Sequence, residues 1–247
     1  GLRNYYLKIG HMGILRGILS QERISEEPQN RIMQLLDKKR WDEALKLTQE
    51  LGASQKCRTT LKDLIEIAGK HIAQILKRIK QTVKDFEDAV AALENLQEIL
   101  DLTKKSGVEF EALIEAGFAR GLEYYTGIVF QPYASELERE VGGGGRYDKL
   151  IELFGGEHTP AVGVAHGIDR LVLAMIKQKV LTKTGMERRV MIIPIGEEMR
   201  AKAMELSLKL RSVNIRVEVE VAGRTVSKAL QDADRRKVTH SIIVGPE

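Results

Sequence analysis

Arg120-Gly121-Leu122-Glu123-Tyr124-Tyr125-Thr126-Gly127-Ile128-Val129-Phe130 is the stretch on which the fold turns. Its Tyr, Val, Ile and Phe content, continuing to Tyr133, has the texture of a strand within a sheet. Alternation along such a strand places Arg120, Leu122, Tyr124 and Thr126 on one face, so Arg120 and Tyr124 would line one pocket. An arginine brings a permanent charge and a fork of donors suited to phosphate or carboxylate oxygens, and a tyrosine brings an apolar wall with a polar tip. The residues alone leave a second reading open, a half-buried strand whose arginine snorkels to water.

Two glycine-rich segments follow. In Val141-Gly142-Gly143-Gly144-Gly145-Arg146-Tyr147-Asp148 four successive glycines remove every side chain, over a length where a flat ligand could lie against bare backbone. A flexible linker is the alternative, but the run passes straight into Arg-Tyr-Asp and an apolar helix over Leu150 to Phe154. It is no phosphate-cradling P-loop, because no Gly-Lys-Ser/Thr follows. In Thr159-Pro160-Ala161-Val162-Gly163-Val164-Ala165-His166-Gly167-Ile168-Asp169-Arg170-Leu171, small residues alternate with valine into a helix. Gly163, Ala165 and Gly167 leave one strand face nearly bare, which close strand-helix packing would also explain. Arg170 sits in the first helical turn against the macrodipole, which points to an anionic partner.

Upstream, Tyr5 to Ile9 reads as a strand, followed by a turn over Gly10 to Gly13 and a short helix. A new helix starts at Ser25-Glu26-Glu27-Pro28, and Ile32, Leu35, Leu36, Trp41, Leu45, Leu47 and Leu51 keep roughly helical spacing through to Gly52. Further helices are predicted over Lys56 to Ile67, over Ala73 to Leu96 and onward from a cap at Asp101, making a mainly helical block of about 85 residues. Downstream, Gly167 to Lys177 is a helix and the polar Thr182 to Glu187 the best domain boundary. Beyond it come a strand at Val190 to Pro194, a helix at Glu197 to Arg211, a strand at Arg216 to Val221, a helix at Val226 to Lys237 and a strand at Ser241 to Val244. That β-α-β-α-β order implies a parallel or mixed sheet covered by helices.

The 247 residues, 43% hydrophobic and 30% charged, suffice for two modest cores. The one cysteine, Cys57, excludes an internal disulfide and a cysteine-built zinc cluster, and fits a reducing compartment. No apolar run approaches the roughly 18 to 20 residues that span a bilayer, and the opening Gly1-Leu2-Arg3-Asn4-Tyr5-Tyr6 has no secretory h-region, so no membrane association and a cytoplasmic location are expected. The net charge of +4 is concentrated at one end: Arg188 to Glu247 holds 12 lysines and arginines against 8 acids. A basic domain on a neutral one suits a polyanionic partner, as well as a plain solvated surface. His11, His71, His158, His166 and His240 show no metal-ligand spacing and read as structural or solvent-facing; no metal ligand is assigned.

The three segments around Arg120, Gly143 and Arg170, in this order and spacing, resemble the signature of histidyl-tRNA synthetases. These are an Arg-Gly-Leu-Asp/Glu-Tyr-Tyr strand, a Gly-Gly-Arg-Tyr-Asp turn, and class II motif 3 with its arginine; Glu123 stands where aspartate is more familiar. Lys8-Ile9-Gly10-His11-Met12-Gly13-Ile14-Leu15-Arg16-Gly17-Ile18 resembles the strand and helix leading into that family's helical insertion, and the tail from Arg189 resembles its anticodon-binding domain. No counterpart of motif 1 or motif 2 is found, nor of the last part of the anticodon-binding domain, so the resemblance implies a fragment, incomplete or inactive alone. The implied fold class is α/β: an α+β catalytic part with a class II mixed or antiparallel sheet and a helical insertion, plus an α/β anticodon-binding domain. The implied domains are residues 1-20, a catalytic-domain strand and helix; 21-111, the helical insertion; 112-181, the catalytic core; and 188-247, the incomplete anticodon-binding domain.

The resemblance also implies a function. It is a histidine-tRNA ligase that joins histidine to ATP as histidyl-adenylate, releases pyrophosphate and passes the histidyl group to tRNA(His). Arg120 would contact the α-phosphate and the histidine carboxylate, with Tyr124, Tyr125 and Tyr147 forming the histidine pocket. Arg170 would sit over the nucleotide, and Gly143, Gly144, Gly163 and Gly167 would leave room for substrate. Mg²⁺ would arrive with ATP, bound mainly by phosphates and waters. Arg224, Lys228, Arg235, Arg236 and Lys237 would meet anticodon phosphates, with ordinary surface charge an equal account of each. The complete protein would be a homodimer. The alternatives are a regulatory paralogue serving histidine biosynthesis and a non-catalytic RNA-binding or sensor domain on the same fold.

Overall fold

A computed structural model describes residues 2–121, 123–137, 139–180 and 189–246. The connector read at 182–187 lies outside the described residues, as does Leu122. The chain divides into two compact units, one of Gly1–Glu98 with Phe110–Leu181, the other of Ile99–Glu109 with Thr182–Glu247.

The first unit is built on β1 (Tyr5–His11), which pairs in parallel with β3 (Glu111–Glu115) and antiparallel with β4 (Ile128–Ala134). With β2 (Ala68–Gly69), β5 (Gly142–Arg146) and β6 (Val162–His166) they form a mixed six-stranded sheet in the order β2-β3-β1-β4-β5-β6. The strand texture read from Arg120 onward materialises only from Ile128. Residues before it form a loop, which Gly127 and Thr126 fasten to the Arg146 carbonyl. The alternation that would put Arg120, Tyr124 and Thr126 on one strand face therefore does not apply. The glycine run is neither linker nor turn but an interior strand, hydrogen-bonded to β4 on one side and β6 on the other. Its bareness answers close strand contact: a Cβ on Gly144 would lie 2.3 Å from the Gly163 carbonyl oxygen.

No turn separates β1 from α1 (Met12–Gln21). His11, the last strand residue, is also the helix N-cap, its Nδ1 accepting the Gly13 N–H at 3.1 Å. Helix α1 is buried nearly all round, with Met12, Ile14, Leu15, Ile18 and Leu19 inaccessible to solvent. The long apolar pattern from Ile32 to Leu51 is two helices, α2 (Glu26–Asp37) and α3 (Trp41–Glu50), parted at Lys39, whose φ of 58° no helix can hold. Helix α4 (Gln55–Ile65) is capped by Ser54. The helix predicted over Ala73 to Leu96 likewise divides into α5 (Ile72–Val83) and α6 (Glu87–Lys105), with Phe86 buried at the break. Asp101 is interior to α6 and caps nothing. Short α7 (Leu150–Leu153) and α8 (Ile168–Lys177) complete the unit, Ala174 and Leu171 of α8 packing with Ala134 and Val141 on the sheet.

In the second unit the central strand is β7 (Arg189–Pro194), flanked in parallel by β8 (Arg216–Val219) and β9 (His240–Val244). A 3₁₀ turn over Glu197–Met199 leads into α9 (Arg200–Ser212), and α10 (Val226–Arg235) follows β8. Period-two alternation along β7 sends Val190 and Ile192 toward Ala203 of α9 and Met191 and Ile193 toward Ala229 and Ala233 of α10, so each sheet face acquires one helix. Among the described residues, no helix is long and apolar enough to cross a membrane.

Candidate active site

The loop between β3 and β4 carries Arg120 at its start and the tyrosine pair at its centre. Arg120 is half-buried, and its Nε is shut off from solvent with no hydrogen-bond partner among the described residues. Its guanidinium lies over β5, where a Cβ on Gly143 would sit 3.5 Å from Nη2. A buried guanidinium N–H without an acceptor is costly, by about 1 to 3 kcal/mol or more for a charged group, unless something anionic arrives to accept it. Arg120 also lines a cleft of about 280 Å³ shared with Lys8, Glu115, Gln131, Tyr133 and Glu140. Two of these belong to a partly buried ion pair, Lys8 Nζ to Glu115 at 2.7 Å, and Gln131 is buried in mid-strand, accepting a bond from Tyr133 Oη at 3.2 Å.

The three tyrosines do converge. Tyr124 and Tyr125 lie 4.7 Å apart by ring centroid, and Tyr147 meets them edge-on at 5.6 and 6.1 Å. Tyr125 is buried, its ring resting where a Cβ on Gly145 would come within 2.8 Å. Burial pushes its phenol up to about 12, helped by the bond with Tyr124 and opposed by Arg120, so it stays a neutral donor at physiological pH. Next to Tyr125 and Tyr147 in sequence, Arg146 Nε donates to Asp148 at 2.9 Å and the Thr126 hydroxyl to the same carboxylate at 3.1 Å.

The glycines assigned to substrate room divide. Gly143 faces Arg120, where an added Cβ would make ordinary contact at 3.5 Å from Nη2, whereas the space over Gly163 is filled by Tyr147, whose Oη would lie 2.0 Å from an added Cβ. Gly144 is bare for strand packing, and an added Cβ on Gly167 would lie 3.3 Å from the Arg170 side chain. At Gly144 and Gly163 the missing side chains admit protein atoms. Arg170 projects from α8 as expected but is engaged, donating to the Glu140 carbonyl at 3.0 Å and to its carboxylate. Burial raises the Glu140 carboxyl, but its own N–H, the Arg170 bond and the charges of Arg170 and Arg120 together hold it below the ordinary carboxylate range. Glu140 and Gln131 escape sequence reading, although a lone glutamine inside Val129-Phe130-Gln131-Pro132-Tyr133 is a visible signal.

In the second unit, the basic residues assigned to RNA phosphates are mostly occupied. Arg224 pairs with Asp232 at 3.0 Å and Glu220 at 3.2 Å, Arg235 bonds Asp232, and Arg236 reaches Glu218 and Asp232. The Arg235 bond is the chief reason the Asp232 carboxyl lies below its usual range. Lys228 is exposed on α10.

This architecture is shared with solved structures of class II synthetase type. A histidyl-tRNA synthetase from Nostoc sp. PCC 7120 superposes with a TM-score of 0.58 at 23% identity, covering 98% of this chain and 58% of that one. A Bacillus halodurans protein described as an ATP phosphoribosyltransferase regulatory subunit/histidyl-tRNA synthetase gives 0.60 at 22%, covering 100% and 61%. At those identities the likeness establishes the fold. The sequence establishes more: residues 1–171 match the family model "Histidyl-tRNA synthetase" and residues 189–247 the model "Anticodon binding domain". The chain belongs to the histidyl-tRNA synthetase family. It is 37% identical to the histidine–tRNA ligase of Methanocaldococcus jannaschii and 34% identical to that of Thermococcus kodakarensis, over 98% and 99% of its length. It spans 56% and 57% of those relatives, about half the length of each.

Proposed function

We propose that the protein containing this chain is a histidine-tRNA ligase, which activates histidine with ATP and transfers it to tRNA(His). The observation that carries the reading is Arg120: a buried donor without an acceptor, over bare backbone at Gly143, beside three converging tyrosines. Adenylate formation needs no protein nucleophile, because the histidine carboxylate itself attacks the α-phosphate. The protein's part is to orient the two reactants and to stabilise charge on oxygen. Arg120 holds the carboxylate and α-phosphate oxygens together, its fork satisfying both and filling the orphaned donor position. Tyr124, Tyr125 and Tyr147 wall the imidazole, the neutral Tyr125 phenol being held by its bond with Tyr124. Gly143 lets the Arg120 guanidinium lie close over β5.

Arg170 is the second phosphate contact, which requires the nucleotide to draw it from Glu140. Mg²⁺, held by phosphate oxygens and water, would neutralise the outgoing pyrophosphate. Residues 1–20 and 112–181 form the catalytic part, 21–111 the insertion and 188–247 the anticodon-binding part, in a cytoplasmic homodimer. Lys228 meets anticodon phosphates directly, and Arg224, Arg235 and Arg236 do so in exchange for Asp232. The match of 189–247 to the anticodon-binding model favours the ligase over a regulatory paralogue.

The test is histidine-dependent pyrophosphate exchange by the complete protein and its Arg120→Lys variant. Lysine keeps the charge and loses the planar fork, so exchange should fall about 10²- to 10³-fold with thermal unfolding unchanged. Near-normal exchange by a well-folded variant would remove Arg120 from the reaction centre.

A further inference from the structure

Helix α2 presents Asn30, Gln34 and Asp37 at i, i+4 and i+7, one stripe of its surface. All three lead to the loop that carries Arg120. Asp37 Oδ2 accepts the Gly121 N–H at 2.9 Å, one residue from Arg120. Gln34 Nε2 donates to Glu123 Oε1 at 3.2 Å, one residue before the tyrosine pair. Asn30 Oδ1 accepts from Arg16 Nη2 at 2.7 Å, and the same Nη2 reaches the Glu123 carbonyl at 3.5 Å.

Two features set these contacts apart from incidental surface bonds. Asp37 is the last residue of α2, where a carboxylate opposes the helix dipole, so helix stability does not account for it. Gly121 is the residue type that admits it, since an added Cβ would stand only 3.0 Å from Asp37 Oδ2. Among the described residues of the loop, no ladder hydrogen bond holds it before Thr126. The Gly121 N–H is located by a side chain 84 residues away in sequence, the Glu123 carboxylate by one 89 residues away and the Glu123 carbonyl by Arg16, 107 residues away.

We propose that α2 is a clamp on the histidine loop and that Asp37 and Gln34 are positioning residues, setting where Arg120, Tyr124 and Tyr125 stand. The proposal rests on the reading of those three residues as the histidine site. It makes the helical stretch after α1 a determinant of amino-acid binding, through backbone placement and without touching substrate. Glu123 acts here as an anchor for the loop, held by Gln34 at its side chain and by Arg16 at its carbonyl.

The experiment uses the complete protein with Asp37→Ala, Asp37→Asn and Gln34→Ala. Three quantities are read: KM for histidine and kcat in pyrophosphate exchange, amide hydrogen exchange of the peptide spanning 119–127, and thermal unfolding. Asp37→Ala should raise KM for histidine about tenfold or more and speed amide exchange of that peptide, with the melting temperature nearly unchanged. Asp37→Asn, whose carbonyl oxygen accepts the same N–H, should restore both to within about threefold of the unmodified protein. Gln34→Ala should shift both in the same direction as Asp37→Ala. Unchanged KM and loop exchange in both alanine variants would overturn the clamp, and so would Asn behaving as badly as Ala. An unmodified protein with no histidine-dependent exchange would overturn the ligase reading instead, leaving amide exchange to decide the clamp alone.

Discussion

His11 ends β1 and begins α1 with one ring. Because Nδ1 accepts the Gly13 N–H, Nε2 carries the proton and points to Asn95 Oδ1 at 3.2 Å. Burial lowers its pKa from 6.5, the Asn95 bond pulling weakly the other way and Arg146 adding to the fall. The ring is therefore neutral when folded, while the unfolded chain takes up a proton near pH 6.5. With the folded pKa below the unfolded one, this contribution to stability is complete above 6.5 and is lost as pH falls toward the folded value. His11→Asn keeps an N-cap acceptor and removes the titration. The melting temperature of the natural protein should drop between pH 7.5 and 5.5 by more than that of the variant, and equal drops would assign the acid sensitivity elsewhere. At this scale the sequence speaks through residue chemistry. Arg120 and the tyrosines stand out because few residue types offer a charged fork of donors, or an apolar wall with a polar tip. Asp37 and Glu140 are invisible because their partners, Gly121 and Arg170, lie 84 and 30 residues away.

Elements were legible wherever a period persisted, and lost where one residue broke it. The β-α-β-α-β order beyond Arg189 emerges with its alternation intact, because β7 is buried on both faces and must offer apolar residues to each. By contrast, nothing in the spacing from Ile32 to Leu51 reveals that Lys39 adopts a left-handed conformation and divides the helix. Gly17 shows how packing overrides local preference. Within a helix, Gly→Ala ordinarily stabilises by about 1 kcal/mol. Here α1 crosses α6 so closely that a Cβ on Gly17 would lie 2.5 Å from the Ala89 backbone nitrogen, and backbone does not give way as a flexible side chain would. Gly17→Ala should therefore destabilise, by about 1 to 3 kcal/mol, as overpacked cores do. Chemical denaturation midpoints decide the sign, and a stabilised variant would mean that α1 and α6 separate readily.

For the molecule as a whole, the sequence places a break at a polar run without apolar periodicity, Thr182 to Glu187. The family matches end at residue 171 and resume at 189, on either side of it. Residues 181–188 lie outside the described structure, and the stretches on either side of them differ in sheet and core. Beyond it, strand β7 starts a new sheet with two cores of its own, and the basic excess of 12 lysines and arginines over 8 acids falls entirely on that side. Before it, β5, over which the Arg120 guanidinium lies, is an interior strand paired along both edges. A protease must draw several residues of backbone into its cleft, which a paired interior strand resists and a polar run without apolar periodicity is expected to permit. Limited trypsin digestion should thus cut at Lys183 before it cuts at Arg146 or Arg170, giving one fragment that ends near residue 183 and one that begins there. Mass measurement of the first products identifies the site. Early cleavage at Arg146 would show that the glycine strand opens more readily than the junction. The preformed floor beneath Arg120 would then fall with it, since Gly143 can let that guanidinium lie close over β5 only while β5 stays paired.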